Sequence, residues 1–468
     1  MRTGSAGLCG AGAGLRPCGR AGAGRLAGAL PVDRPEARAV AGAPVRPPEE
    51  DVRVAMVLKL AGSADESGLR GTRVGGDVGG AWHGGVMATS SRPAVSVDRA
   101  QVLRYRVHAQ QLDRRPRSDR AVDAAAVLDL GVQDTGPDGA LWALAIRGLP
   151  VEAGRWPHEL ALAWTLRGAP HAYRRTELRT VERAVRPFSE ADAAKRIMSA
   201  AGPLKKAGIG RADALSVAAT AMRDVVTQPL EKGALSTRMT AVLDDPYLRW
   251  CEPCQATHPY EMVFRLAALH AGLELEPGTS PPVIRRIPRW PAAQVGDLTA
   301  PEPGGPSDVL RALLHLLGPM TPGQAAEFLD APARDIRERW PHDAVDVLVD
   351  GAPASLLAGD VAALERAAEP PGGAPVVRLL GPYDLFLQGR DREVIVPDAR
   401  RRPELWRTLG RPGAVLAGGE IVGTWRPRAR GQVLGLELDE WVPWDATLRA
   451  NVEGEHERLA EFRGLRAT

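Results

Sequence analysis

Cysteine is scarce in this chain: Cys9, Cys18, Cys251 and Cys254 are the only four in 468 residues. That is too few for a disulfide-built fold at this length, and it fits a reducing, cytoplasmic setting. Aromatic residues make up only 4%. No run of about 18 apolar residues occurs, so a membrane-spanning helix is not expected. Neither sign of charge dominates, since 60 basic residues face 57 acidic ones for a net charge of +3. The chain is therefore not a polycation, and any nucleic-acid surface has to be a local patch. Lysine is confined to Lys59, Lys195, Lys205, Lys206 and Lys232, so the cationic chemistry belongs to arginine. Its planar, forked donors suit phosphate, although a GC-rich genome produces the same bias. Phosphate-loop, dinucleotide and Ser/His/Asp motifs are missing as well.

Hydrophobic residues account for 44% and charged residues for 25%, the composition of an ordinary globular protein with room for about three domains. Residues 1–90 stand apart. Rich in Gly, Ala and Arg and lacking a period of 3.6 or 2, they read as a disordered or over-extended N-terminus, with the working protein starting near Met87. From there a helix capped by Ser96 is expected, then a helix over AVDAAAVLDL stopped at Gly131, a turn-rich VQDTGPDG, and a helix in ALWALAIRGL. HELALAWTLRGAPHAY starts helical and turns strand-like from Trp164, and Thr176 and Ser189 read as helix caps.

Further along, helices are expected in RADALSVAATAMRDVV, STRMTAVL and HPYEMVFRLAALHAGL, and a strand in VIRRIPRW. After the linker PEPGGPS come SDVLRALLHLLGP and MTPGQAAEFLDAPARDIRERW, with Thr321 as cap and Pro322 at the first helical position. Two strands meeting at Gly351 follow. Three helices and a hairpin make the winged-helix plan, whose second motif helix faces the DNA groove; a small helical core has the same spacing. From Val376 the pattern changes to short strands with a hairpin at Gly418–Gly419. The expected fold class is α+β and mainly helical: winged-helix units over 95–203, 204–295 and 306–372, then a small β-barrel or β-sheet domain over 375–468.

Four segments carry a resemblance. GVQDTGPDGALWALAIRG, AWTLRGAPHAYRRTEL, LLGPYDLFLQGRDR and AVLAGGEIVGTWRP resemble, in order and spacing, the AlkZ-like family of winged-helix DNA glycosylases, from about Ser96 to the C-terminus. The resemblance implies tandem winged helices around a DNA-sized channel and removal of alkylated purines, with crosslink unhooking in some members. It implies double-stranded DNA as partner, alkylated or crosslinked; no heptad run demands a dimer, and a monomer without a cofactor is expected. A non-catalytic winged-helix DNA-binding protein, such as a regulator or damage sensor, is the alternative.

The family's catalytic motif is Gln, any residue, then Gln or Asp. Gln133 matches its first position, while Thr135 stands at the third. Asp134 falls between them and in an extended segment points to the opposite face. The bland alternative for Gln133 is a turn hydrogen bond to the backbone. Arg167, Arg174 and Arg175 are candidate phosphate contacts and His171 a candidate cavity residue. Asp384 either neighbours the cavity or pairs with Arg390 or Arg392. Cys251, Cys254 and His258 supply at most three metal ligands, with His270 out of reach along an expected helix, so free thiols and no metal are expected.

Overall fold

The run LALAW is apolar at every position, the mark of a strand covered on both faces. In the computed structural model, which describes residues 95–468 apart from 137, 306–307, 370–371 and 373–374, Leu160–Trp164 is such a strand, buried throughout. It therefore begins before the expected switch at Trp164, and no helix precedes it. The described residues all fall in the unit Glu49–Thr468. The N-terminal extension expected over 1–90, with Cys9 and Cys18, lies outside them.

Leu160–Trp164 sits inside a six-stranded sheet. Val132–Gln133 forms one edge, followed by Pro170–Arg174, Leu160–Trp164, Leu273–Glu276, Val283–Arg286 and Leu230–Glu231. Every pairing is antiparallel. Strands from 95–203 and from 204–295 thus share one sheet. The helices Arg211–Val225 and Glu261–His270 cover it with Leu215, Ala218, Met222, Val263 and Phe264.

Val309–Leu317, Pro322–Leu329 and Ala333–Glu338 are helices, followed by the hairpin Ala344–Val349 and Ala352–Leu357. Thr321 and Gln324 close a full capping box at the second helix, with Pro322 inside its first turn. The third helix buries Asp335 and Ile336 and leaves Arg334, Arg337 and Glu338 exposed. Leu313, Leu314 and Leu317 share a core with Leu128, Leu130 and Leu144. Val95–Val97 adds to the hairpin in parallel. Ser96 is accordingly a strand residue, and the helix Arg99–Ala109 is capped instead by Asp98, whose carboxylate accepts the Gln101 N–H at 2.6 Å.

AVDAAAVLDL is not an α-helix but two 3-10 turns, Val122–Ala124 and Ala126–Asp129. Arg174 holds the segment in these short turns, its guanidinium donating to the carbonyls of Asp123 (2.6 Å) and Ala125 (2.8 Å), the latter also accepting the Leu128 N–H of the second turn. Thr176 lies in a 3-10 turn and does not cap the helix Leu178–Ala184, whereas Ser189 caps Glu190–Arg196 by accepting the Asp192 N–H.

The C-terminal sheet has five strands, Val377–Leu380, Gly413–Ala417, Glu420–Arg430, Val433–Glu440 and Arg466–Ala467. Gly418 and Gly419 have φ of +60° and +98°, as a two-residue hairpin turn of the primed type requires. The helix Ala446–Phe462 packs on this sheet through Val452, Leu459 and Ala460. From the helix Gly139–Ala145, Trp142 enters the same core and donates its indole N–H to the Leu379 carbonyl at 2.7 Å. That contact ties the loop carrying Gln133 to the C-terminal sheet. Among the described residues no helix is long and apolar enough to cross a membrane.

Candidate functional site

Gly131 precedes the edge strand Val132–Gln133 at φ +86°, and a Cβ there would lie 2.4 Å from the Tyr173 ring. Only glycine lets the chain pass Tyr173 and enter the sheet. The two-residue strand then alternates sides, Val132 pairing with Ala172 and Gln133 with His171. Gln133 and Thr135 come out on one side, lining a cleft of about 360 Å³. Gln133 is 9% exposed and donates from Nε2 to Thr135 Oγ1 at 3.0 Å. Its Oε1 is thereby the end left to accept a hydrogen bond from a guest.

Asp134 points the other way. Its carboxylate accepts the Ala140 N–H at 2.9 Å and serves as a cap at the start of the helix Gly139–Ala145. Burial pushes its carboxyl above the ordinary carboxylate range, partly offset by that hydrogen bond. Its backbone N–H is held by the Pro170 carbonyl at 2.9 Å.

The opposite wall is cationic. Arg167, Arg390, Arg392 and Arg411 line the cleft with Tyr383, Gln388 and Trp406. None of the four forms an ion pair with a described residue. Arg167, at φ +56°, donates to the Phe328 carbonyl and to Gln388 Oε1 (2.8 Å) and lies over the Phe328 ring. Arg392 stacks on Trp406 with its guanidinium carbon 5.0 Å from the ring centre, and Arg411 on Tyr383 at 4.9 Å. The Nε atoms of Arg390 and Arg411 are buried without a hydrogen-bond partner among the described residues. Burial, and next the charge of Arg390, pulls Arg167 down to about 9. Burial also lowers Arg390, Arg392 and Arg411, and neighbouring guanidinium groups lower Arg390 and Arg411 further. At neutral pH all four stay charged, and Glu327 and Asp330, though not ion-paired with them, offset part of the cost of burial at Arg167, Arg390 and Arg392.

Arg167 and Arg390 also border a second cavity of about 440 Å³, walled by Trp164, Met198, Met262, Leu269 and His270. Glu327 and Asp330 line that side and not the Gln133 cleft.

Of the other residues singled out from sequence, His171 is buried behind the cleft, 2% exposed. Its Nδ1 lies 3.0 Å from the Ala169 carbonyl and 3.1 Å from Thr165 Oγ1. Burial, then the charge of Arg167, pushes it down to about 3, so it is a neutral packing residue. Arg174 and Arg175 do not line the cleft. Arg174 binds Asp129 and Glu177 besides its two carbonyls, and Arg175 binds Glu274 and the carbonyls of His158 and Leu160. Their donors are occupied inside the fold. Asp384 is also outside the cleft, and its partner is neither Arg390 nor Arg392. It forms a two-pronged ion pair with the buried Arg147 at 2.7 and 2.9 Å and caps the turn Leu385–Gln388. Arg390, Arg392 and Arg411 line the cleft although the sequence does not single them out. Arg390 and Arg392 come from GRDR and Arg411 from LGRPG, and only the fold brings them together opposite Gln133.

Cys251, Cys254 and His258 converge, one ligand atom from each lying within 4.8 Å of the others. His270 is elsewhere, bonded to the buried Glu182 at 2.6 Å.

The model of the AlkZ-like DNA glycosylases matches residues 127–462, which is most of the chain. Among solved structures, the Streptomyces sahachiroi DNA glycosylase AlkZ is similar in fold, at 20% identity and a TM-score of 0.59, over 80% of this chain and 100% of that one. None of the curated proteins compared with the chain matches it. The segments that form the cleft, 131–135, 167–170 and 383–411, all lie inside the family match, and the chain belongs to the AlkZ-like DNA glycosylase family.

Proposed function

We propose that the protein is a monofunctional glycosylase that hydrolyses the N-glycosidic bond of alkylated purines in double-stranded DNA. The observation that carries this is the cleft itself: a Gln–Thr pair faces four arginines that have no carboxylate partners among the described residues. An N7- or N3-alkylated purine is cationic, so it departs as a neutral base with the bonding electron pair and needs no acid catalyst. The requirement left is a positioned water and a held sugar-phosphate. Gln133 Oε1 accepts a hydrogen bond from the water, and Thr135, fixed by Gln133 Nε2, orients it. The water adds to the sugar C1′ and releases its proton to solvent. Arg167, Arg390, Arg392 and Arg411 clamp the flanking phosphates, while Tyr383 and Trp406 hold two of these guanidiniums in place by stacking.

In this reading Asp134 sets the helix behind the loop and is not the base. The units 95–203, 204–295 and 306–372 act as winged helices that wrap the duplex, the unit over 306–372 having the three helices and hairpin that plan requires, and the chain acts as a monomer. A crosslinked purine is a substrate of the same kind, being alkylated at the same nitrogen.

One observation favours a second reading, a non-catalytic damage sensor: no carboxylate of a described residue lines the Gln133 cleft. Incubating the purified protein with a duplex containing N7-methylguanine separates the two. The glycosylase reading expects free N7-methylguanine and an abasic site. Tight binding with no released base from this or any N3-alkylated adenine duplex selects the sensor.

A further inference from the structure

We propose that Cys251, Cys254 and His258 form a binding site for a zinc-class divalent metal ion, with three protein ligands and a fourth position open to water. The strands Leu248–Cys251 and Ala256–Pro259 pair in antiparallel register, Arg249 opposite His258 and Cys251 opposite Ala256. Residues directly opposite share a face, as do residues two apart along a strand. Cys251 and His258 are therefore diagonal neighbours on one face of the ribbon. The connection is a 3-10 turn, Glu252–Cys254, and Gln255 takes a left-handed backbone, φ +49°. This tight reversal folds Cys254 back over the ribbon, and the three donor atoms end within 4.8 Å of one another.

Zn–S bonds of about 2.3 Å and Zn–N bonds of about 2.0 Å in tetrahedral geometry separate donors by about 3.5–3.8 Å. Closing onto a metal therefore needs about an ångström of movement, within reach of side-chain rotation at an exposed Cys254.

The second observation concerns the imidazole. His258 Nδ1 lies 2.8 Å from the Pro259 carbonyl oxygen. A carbonyl can only accept, so Nδ1 carries the proton and the Nε2 lone pair is available to a metal. Metal-binding histidines are usually oriented this way, with the second ring nitrogen donating to a carbonyl or carboxylate. Two thiolates and an imidazole select zinc-class ions over magnesium or calcium. The ribbon packs on the helix Lys232–Val242 and none of its residues lines the Gln133 cleft, so the ion would order the ribbon tip and take no part in base removal.

The test is a Co²⁺ titration of the reduced, metal-stripped full chain, read by thiolate-to-cobalt charge transfer and tetrahedral d–d absorption and followed by displacement with Zn²⁺. The proposal expects saturation at one equivalent. Cys254→Ser and His258→Gln should each weaken binding by more than about 100-fold, above what loss of an outer partner costs. His258→Cys should restore binding with stronger charge-transfer bands, and Cys9→Ser with Cys18→Ser should leave the spectrum intact. Absence of thiolate–cobalt bands, or bands unchanged in Cys254→Ser, overturns the site.

Discussion

Arg390 is the residue on which the phosphate clamp is most sharply exposed to test. In the free protein its Nε is buried without a partner among the described residues, Arg392 repels it, and Glu327 and Asp330 attract it without forming an ion pair. An unsatisfied buried donor costs about 1–3 kcal/mol. Arg390→Met retains an unbranched side chain and removes both the donor and the charge. The free protein should therefore become more stable by about 1–2 kcal/mol, a rise in Tm of about 1–2 °C for a chain of this size. DNA binding should move the other way. If the four arginines each neutralise one phosphate, log affinity falls with log salt at a slope of about −3.6, and a fourfold rise in salt weakens binding about 150-fold. Removing one contact should reduce that slope by about 0.9 and cost about tenfold in affinity near 0.1 M salt. Differential scanning fluorimetry and fluorescence anisotropy across a salt series give both numbers. A fall in Tm of several degrees, or an unchanged salt slope, would show that Arg390 is a structural residue and not an anion ligand.

Alanine at Arg174 or Arg175 should leave the salt slope unchanged while lowering Tm, because their donors serve the fold; a slope lowered by about 1, as expected for a lost phosphate contact, would place them on DNA. Asp384→Ala strands the buried Arg147 charge and should cost about 3–5 kcal/mol in urea unfolding, without changing base release below the transition; loss of base release in a fully folded sample would contradict this. His171 titrates near 6.5 when unfolded and near 3 when folded. The unfolded chain thus binds the extra proton between those values, and stability present above pH 6.5 is lost as pH falls, by about 2 kcal/mol at pH 5. In His171→Gln that portion of the acid sensitivity should vanish; an unchanged pH profile of unfolding would mean that His171 is not held neutral.

Local signals in the chain carry local structure. The caps at Thr321 and Ser189 and the hairpin at Gly418–Gly419 all depend on residues within a few positions of one another, and all form as read. Gln133 and Thr135 emerge on one side of the chain and Asp134 on the other because a strand alternates, a period visible in any extended segment. The misread elements have distant causes. Arg174 donates to the carbonyls of Asp123 and Ala125 from 49 to 51 residues away, and Arg147 holds Asp384 across 237 residues. The anion wall joins Arg167 to Arg390, Arg392 and Arg411, a grouping that only tertiary structure creates. His258 was placed on a helix that in fact begins at Glu261; on a strand it comes within reach of both thiols.

The central claim is that Gln133 holds the attacking water in a glycosylase. Single-turnover release of N7-methylguanine from a duplex, measured for the protein and for Gln133→Ala at saturating enzyme, tests it most directly. The expected result is release by the unaltered protein and a loss of at least about 100-fold in Gln133→Ala with DNA affinity within about twofold, because a water-positioning group acts mainly in the transition state. Thr135→Asp, which restores the family motif, should release base faster still. Equal rates for the unaltered protein and Gln133→Ala, or no release by the unaltered protein and by Thr135→Asp, would contradict the account.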